Sequence, residues 1–92
     1  CSPIFYWNVL KGIPDCYYIE IDYMNNGQYI VDSVRDSNTY LLPEEVWKMI
    51  KENAPIVDGL QIIHWRIRIE YPEDQNREPY YTGWNYFLIE TE

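Results

Sequence analysis

Residues 60–71 (LQIIHWRIRIEY) alternate between apolar and polar side chains over almost their whole length. One face is apolar and carries Ile63, Trp65, Ile67, Ile69 and Tyr71. The other face is mainly charged or titratable and carries Ile62, His64, Arg66, Arg68 and Glu70. Successive side chains of a β-strand point to opposite faces, so this period of two predicts a strand with one buried face. At about 3.3 Å per residue it would span roughly 40 Å, which is long for a small domain. We therefore expect the rest of the chain to be organised around it.

The predicted partner of this strand is residues 80–90 (YYTGWNYFLIE), with residues 72–79 as the hairpin loop. The pairs on the apolar face would then be Tyr71–Tyr80, Ile69–Thr82, Ile67–Trp84, Trp65–Tyr86 and Ile63–Leu88. A shift of one residue would move Trp84 and Leu88 to the other face, so the alternation favours this register. We expect Trp65 and Trp84 to be buried on the side of the sheet that the helix covers.

Three further strands are predicted in the amino-terminal part of the chain. Residues 4–10 form an apolar run, and residues 16–24 alternate strictly. Asn26 and Gly27 are the pair that a type I′ hairpin turn favours, because both positions need a positive φ. Residues 28–35 would return antiparallel to the preceding strand. The predicted pairs on the core side are Tyr23–Ile30, Ile21–Asp32 and Ile19–Val34.

One helix is predicted, at residues 43–53. Pro43 suits the first helical position, and Glu44 and Glu45 complement the positive end of the helix dipole. The element order is then β-β-β-α-β-β. The sequence therefore predicts a single small α+β domain over residues 1–92, with a five-stranded, mostly antiparallel sheet and one helix packed on one face.

The formal net charge of the chain is −8, with an isoelectric point near 4.4. A protein that binds nucleic acid directly needs a basic surface to neutralise phosphates, so this charge argues against direct nucleic-acid binding. No stretch reaches the ~18 apolar residues that a membrane-spanning helix needs. The same charge favours a basic protein as the binding partner.

The chain begins at Cys1, which leaves its cellular location open. Mature lipoproteins also begin with cysteine, so a lipidated or secreted form is one interpretation, although an intracellular location is favoured. Cys1 and Cys16 do not pair naturally in the predicted hairpin, so we expect free thiols rather than a disulfide.

Sequence patterns for catalysis or metal binding are missing. His64 is the single histidine, which excludes zinc sites with several histidines. No H-E-x-x-H, C-x-x-C, P-loop or G-x-G-x-x-G pattern occurs. A nucleophile and base made of Cys16 and His64 has no local support. We therefore predict a non-enzymatic protein with no metal ion and no cofactor.

His64, Arg66 and Arg68 form a row of cationic or titratable side chains on the polar face of the predicted central strand. Arginine binds carboxylates and phosphates through a bidentate fork, so this row is a possible anion-binding site. The favoured alternative is intramolecular, with carboxylates of neighbouring strands neutralising the arginines. The candidates for that role are Glu20, Asp22 and Glu70.

The loop at residues 72–79 (PEDQNREP) is acidic, flanked by prolines and expected to protrude on a long hairpin. The predicted partner-binding residues are Glu70, Glu73, Asp74, Glu78, Tyr80 and Tyr81. In this hypothesis the carboxylates meet a basic surface of the partner and the tyrosines supply desolvated anchors. Such a protein would be an inhibitor or a nucleic-acid mimic, of the viral counter-defence or immunity-protein type.

Two other functions stay open. The chain has four Trp and ten Tyr, more than a core of this size uses, and exposed aromatic rings stack on sugars. The first alternative is therefore an aromatic-lined carbohydrate-binding module, and the second is a structural or assembly domain excised from a longer chain. Open strand edges at residues 4–10 and 80–90 also suggest a homodimer.

Overall fold

The computed structural model describes residues 2–7, 16–34, 38–72 and 76–90 of the chain. The described residues form seven strands and one helix: β1 (Ile4–Tyr6), β2 (Cys16–Asp22), β3 (Ile30–Val34), β4 (Thr39–Leu41), α1 (Glu44–Asn53), β5 (Leu60–Glu70), β6 (Tyr80–Tyr81) and β7 (Asn85–Glu90).

The central sheet has five strands, all antiparallel, with β2 and β5 in the middle and β3 at one edge. β6 and β7 share the other edge, because β6 pairs with the carboxyl-terminal end of β5 and β7 with its amino-terminal half. A five-stranded antiparallel sheet with one helix confirms the predicted α+β fold class.

The core lies on one face of this sheet. The inward-facing side chains of β2 and β5 follow the predicted alternation, and those with 0–1% exposure are Ile19, Ile21, Ile63, Ile67 and Ile69. Ile50 of helix α1 and Ala54, which caps the carboxyl end of that helix, belong to the same cluster. Because these side chains lie at every second position of two neighbouring strands, they form one continuous apolar layer for the helix to cover.

Strand β1 does not join the central sheet, which corrects the prediction that residues 4–10 form its first strand. Ile4–Tyr6 instead pairs with β4, which the sequence did not predict, in a separate two-stranded sheet. This small sheet packs beside α1 over the core, with the Phe5 ring 5.1 Å from Trp65 and 5.9 Å from Phe87. Residues 8–10 lie outside the described part of the chain.

Helix α1 confirms the predicted helix, with Pro43 in the capping position before Glu44. Its carboxyl end is stabilised from the sheet. The Gln61 side chain, only 1% exposed, donates Nε2–H hydrogen bonds of 2.9 Å to the carbonyl oxygens of Lys51 and Ala54. Carbonyls of the last helical turn have no partner within the helix, so this amide satisfies groups that would otherwise be buried without one.

The β2–β3 pairing is displaced by two residues from the predicted one. Ile21 lies opposite Ile30, so Ile19 faces Asp32 and Tyr17 faces Val34. A shift of two keeps each side chain on its face, but the two-residue type I′ turn is wrong.

The connection between β2 and β3 is longer because Asp22 organises it. The Asp22 carboxylate accepts hydrogen bonds from the backbone N–H groups of Asn26 and Gly27, at 3.3 and 3.4 Å. Positive φ angles fall at Asn25 and Gly27, whereas the predicted turn needs them at Asn26 and Gly27.

The β5–β7 register differs from the prediction by one residue. The side chains of β7 that were predicted to face the core therefore face the other side of the sheet, and the reverse holds for their neighbours. Trp65 lies opposite Asn85 and Ile63 opposite Phe87, so Phe87 and Ile89 face the core. The cause is a bulge at residues 82–84, where three residues oppose Arg66 and Ile67 of β5.

Thr82 holds this bulge in place. Its Oγ1 accepts the Ile67 N–H at 2.9 Å, and its own N–H donates to the Ile67 carbonyl at 2.9 Å. As a result Trp84 is 41% exposed, and the prediction that it is buried is wrong. Trp65 faces the core as predicted and is partly buried there.

Candidate functional site

The face of the central sheet opposite α1 carries no covering element in the described part of the chain. We call this side the open face. The side chains that the register places on it include Tyr18, Glu20, Asp22, Val31, His64, Arg66, Arg68, Glu70, Tyr81, Tyr86 and Leu88, with Tyr29 and Trp84 against Arg66. A polar face on β5 was predicted. The amount of aromatic surface on this side was not.

A buried ion pair lies at the centre of the open face. Glu20 is only 3% exposed, and its carboxylate accepts hydrogen bonds from Arg66 Nε at 2.7 Å and from Arg68 Nη1 at 3.2 Å. Arg68 Nε also lies 3.1 Å from Glu70 Oε2, a close ionic contact whose direction does not make a hydrogen bond. The arginines of the predicted anion-binding row are therefore engaged by carboxylates of the chain itself.

Aromatic rings surround the same arginines. The Arg66 guanidinium lies 4.3 Å from the centre of the Tyr81 ring, 4.4 Å from Trp84 and 5.5 Å from Tyr29. The Arg68 guanidinium lies 4.5 Å from the Tyr18 ring. Each contact places a cation near an electron-rich ring face, which attracts it. The pairing with Glu20 fixes the guanidinium groups, and these in turn fix the orientation of the rings.

Much of this aromatic surface meets solvent. The exposed fractions are 38% for Tyr29, 43% for Tyr81, 41% for Trp84, 65% for Tyr86 and 50% for Leu88. Single exposed apolar residues are ordinary on soluble proteins, but a contiguous group on one face marks an interaction site. The bulge enlarges the apolar part of the open face, because it turns Tyr86 and Leu88 outward.

A depression of about 400 Å³ lies at one end of the open face. Its walls are Asp22, Asn25, Tyr29, His64 and Trp84. His64 Nδ1 lies 2.8 Å from Asn25 Oδ1. An amide oxygen only accepts, so the imidazole donates through Nδ1 and its Nε2 is left as an acceptor when the ring is neutral.

The structure separates the residues of the predicted partner-binding loop. Glu70 and Tyr81 lie on the open face beside the arginines. Tyr80 lies on the opposite side of the strand, where it lines a cleft with Trp7 and Trp65. Glu78 is exposed. Glu73 and Asp74 lie outside the described residues, and their predicted role stays a prediction.

Sequence reasoning missed Tyr29 and Trp84 as site residues. Tyr29 reaches Arg66 and Trp84 only through the folding of the β2–β3 connection, with its ring 5.3 Å from that of Trp84. Trp84 was placed in the core because the alternation of residues 80–90 was assumed to be unbroken. The Thr82-Gly83 pair was the available signal, since glycine inside a strand pattern often marks a bulge.

Three tyrosine pKa values are shifted. Burial raises the pKa of Tyr17, and the neighbouring Tyr71 adds to the increase. Burial also raises the pKa of Tyr40, whose hydroxyl donates a 2.7 Å hydrogen bond to Asp32. The pKa of Tyr18, on the open face, is also raised, and the largest cause is its electrostatic interaction with Cys16.

Metal-binding and membrane-spanning features are missing from the part of the chain that the structure describes. No three His, Cys, Asp or Glu side chains come together there as a set of metal ligands. Its helix is too short and too polar to cross a bilayer. The thiol of Cys16 is free and buried.

In comparisons with protein-family models, with curated proteins and with solved structures, nothing matches this chain.

Proposed function

We propose that the protein is a small non-enzymatic binding protein that docks its open face onto a basic surface of a partner protein. The observation that carries this proposal is the group of half-exposed aromatic side chains held around the buried Glu20–Arg66 pair. Tyrosine, tryptophan and arginine are the residues that most often supply the binding energy of protein interfaces.

The rings of the open face are ordered before any partner arrives. Tyr81 and Trp84 already pack on the Arg66 guanidinium, which is itself fixed by Glu20. Fixing a flexible side chain on binding costs about 0.5–1.5 kcal/mol, so surfaces ordered in the free protein bind more tightly. This order favours a binding role for the aromatic surface.

The size of the molecule suits such an interface. It is elongated, with extents of 50 × 24 × 19 Å. A typical stable interface buries ~800 Å² on each partner, which one broad side of this molecule can supply.

Charge indicates the kind of partner. The chain carries a formal net charge of −8, and opposite fields speed up association with a basic protein. Glu70 lies on the open face, and Glu73, Asp74 and Glu78 are the proposed acidic rim beyond it. If the basic surface is one on which the partner binds nucleic acid, this protein acts as an inhibitor that mimics the nucleic acid.

The test begins with affinity capture by three proteins: the wild type, a Tyr86→Ala/Leu88→Ala variant and an Ile56→Ala/Val57→Ala control. Tyr86 and Leu88 are exposed on the open face, whereas Ile56 and Val57 are equally exposed between α1 and β5. We expect the open-face variant to lose the captured partner and the control to retain it. Equal capture by all three proteins would contradict docking through the open face.

The purified partner then allows two further measurements. Its association rate with the wild type should fall as salt rises, because screening weakens the attraction between opposite fields. In competition at two salt concentrations, the protein should displace nucleic acid from the partner. If the partner binds both together with unchanged affinities, the mimic hypothesis is wrong and docking by the open face is left as the function.

A further inference from the structure

The depression at the end of the open face has a composition that selects one kind of ligand. We propose that it receives a single basic side chain, lysine or arginine, of the partner protein. This inference rests on the proposed function and specifies the contact that gives it specificity. Its walls combine the Asp22 carboxylate, the rings of Tyr29 and Trp84, and the polar side chains of Asn25 and His64.

Asp22 is an acidic side chain that no lysine or arginine pairs with in the described part of the chain. Its two oxygens accept backbone hydrogen bonds from Asn26 and Gly27 that are long, 3.3 and 3.4 Å. Within residues 2–7, 16–34, 38–72 and 76–90, no lysine or arginine lies within ion-pair distance of it. A carboxylate offers about four lone-pair positions, so Asp22 keeps capacity for an incoming N–H donor.

The aromatic walls are suited to a cation. The Tyr29 and Trp84 rings lie 5.3 Å apart at an angle of 59°, and both line the depression. These same rings already attract the Arg66 guanidinium from the side of the sheet. Arg66 is neutralised by Glu20 at 2.7 Å, so its charge does not cancel that of Asp22. The exposed sides of the rings are left for a second cation.

The remaining polar groups add acceptors. Because His64 donates through Nδ1 to Asn25 Oδ1, at 2.8 Å, a neutral imidazole presents Nε2 as an acceptor. The depression thus offers a carboxylate, an imidazole nitrogen and two aromatic side chains. A ligand rich in N–H donors and carrying a positive charge complements all of them, and the net charge of −8 adds a long-range attraction.

The proposal is tested with a hexalysine peptide titrated into ¹⁵N-labelled protein. We expect saturable shifts of the Trp84 indole N–H and of the Asn25 side-chain amide. Asp22→Asn keeps the shape and one acceptor for the loop while removing the charge, and Trp84→Leu removes the ring while keeping an apolar side chain. Each change should weaken binding about fivefold, as expected for one cation–π or ion-pair contact.

The matched control is Glu45→Gln, which removes one negative charge from an exposed position on α1. It should weaken hexalysine binding less than about twofold, the effect of overall charge on a screened association. Equal weakening by Asp22→Asn and Glu45→Gln would overturn the proposal, because the peptide would then respond only to net charge. Spectra of the variants without peptide report whether the fold is intact.

Two further probes separate the alternatives. Hexaglutamate should cause no shifts in the depression, and shifts from it would overturn the proposal. Maltose, a neutral disaccharide, should also leave these signals unchanged. Saturable maltose shifts that persist at high salt would replace the basic side chain with a saccharide as the ligand.

Failure of this inference is distinguishable from failure of the proposed function. Suppose that Tyr86→Ala/Leu88→Ala loses the captured partner while Asp22→Asn captures it as the wild type does. Docking by the open face would then stand, and the proposed cation site would be wrong. Suppose instead that hexalysine binds at the depression while Tyr86→Ala/Leu88→Ala still captures the partner. The cation site would then stand, and docking through the wider open face would be wrong.

Discussion

Glu20 is a single carboxylate that holds two arginines and, through them, four aromatic rings. It lies in the middle of β2 and is 3% exposed, while the side chains of Arg66 and Arg68 are 22% and 25% exposed. A carboxylate removed from water to this extent is stable only when it is paired and hydrogen-bonded. The order of the open face therefore depends on this one residue more than on any single ring.

We expect Glu20→Gln to lower the free energy of unfolding by about 2–4 kcal/mol, because it leaves the partly buried Arg66 guanidinium without a counter-charge and Arg68 with Glu70 alone. Urea denaturation measures the effect. The control is Glu52→Gln, whose partner Lys48 lies 3.9 Å away in an exposed pair and which should cost about 0.5 kcal/mol or less. Similar costs for the two variants would show that Glu20 does not organise the open face.

The raised pKa of Tyr40 predicts how the stability of the protein depends on pH. Burial, together with the hydrogen bond to Asp32, raises the pKa of its hydroxyl. A group with a raised pKa in the folded state contributes stability below its unfolded pKa, about 10 for tyrosine, and loses it as the pH rises further. We therefore expect unfolding to become easier above about pH 10. Denaturation between pH 8 and pH 11 measures the change.

Tyr40→Phe should flatten this alkaline dependence and should cost about 1 kcal/mol at pH 7 through the lost hydrogen bond. Tyr86→Phe, at an exposed position on β7, is the matched control and should follow the wild type. If the free energy of unfolding of Tyr40→Phe falls with rising pH as steeply as that of the wild type, groups other than Tyr40 cause the loss of stability.

Among the structural elements, the bulge between β6 and β7 has the largest effect on the surface. It replaces one regular ladder contact by the Thr82 hydroxyl, which accepts the Ile67 N–H. We expect Thr82→Val to cost about 1–3 kcal/mol, because this N–H then lacks an acceptor. Hydrogen exchange of the Ile67 amide should accelerate along with the loss of stability.

Thr82→Ser retains the hydroxyl and is the control for that change. It should keep slow exchange at Ile67 and nearly all of the stability. Equal exchange rates in the Val and Ser variants would mean that the bulge does not depend on the side-chain hydrogen bond.

The sequence predicts those helices and strands whose apolar and polar residues repeat regularly over several helical turns or several strand positions. The alternation in β2 and β5 places their inward side chains correctly, and the proline before α1 and the acidic residues in its first turn place the start of the helix. Strand β4 has three residues, too few to show a period, and was not predicted. The bulge and the β2–β3 connection depend on individual hydrogen bonds that the side chains of Thr82 and Asp22 accept from backbone N–H groups. A periodic sequence pattern does not reveal such bonds.

The candidate site was predictable to a smaller extent. The alternative in which Glu20, Asp22 or Glu70 neutralises the arginines followed from the polar faces of β2 and β5. The structure shows such contacts for Glu20 and Glu70 and none for Asp22. The aromatic surround did not follow, since Tyr29 and Trp84 come from a loop and a bulge. Such contacts between distant parts of the chain are set by the tertiary fold, which local patterns do not encode.

For the whole molecule, the charge and the two sheet edges that have no partner strand among the described residues have opposite effects on self-association. β3 at one edge carries the exposed Val31, and β7 at the other carries Leu88. Unpaired edges invite strand addition by a second copy, whereas a net charge of −8 repels it. We therefore predict a weak homodimer whose population grows with salt, the reverse of the salt dependence expected for a basic partner.

Sedimentation equilibrium at high protein concentration and two salt concentrations measures this dimer. Val31→Lys and Leu88→Lys, each at an edge, should reduce it, while Ile56→Lys should not. A monomer under all conditions would exclude pairing through the edges.

The bulge also bears on how such a protein can change over evolution. Both sides of β7 are largely apolar, with Phe87 and Ile89 on one side and Tyr86 and Leu88 on the other. Gain or loss of a single residue at positions 82–84 would exchange these two sets between core and surface, with both still able to pack. One insertion or deletion there would present a new recognition surface in a single mutational step, on a fold whose other strands need not change.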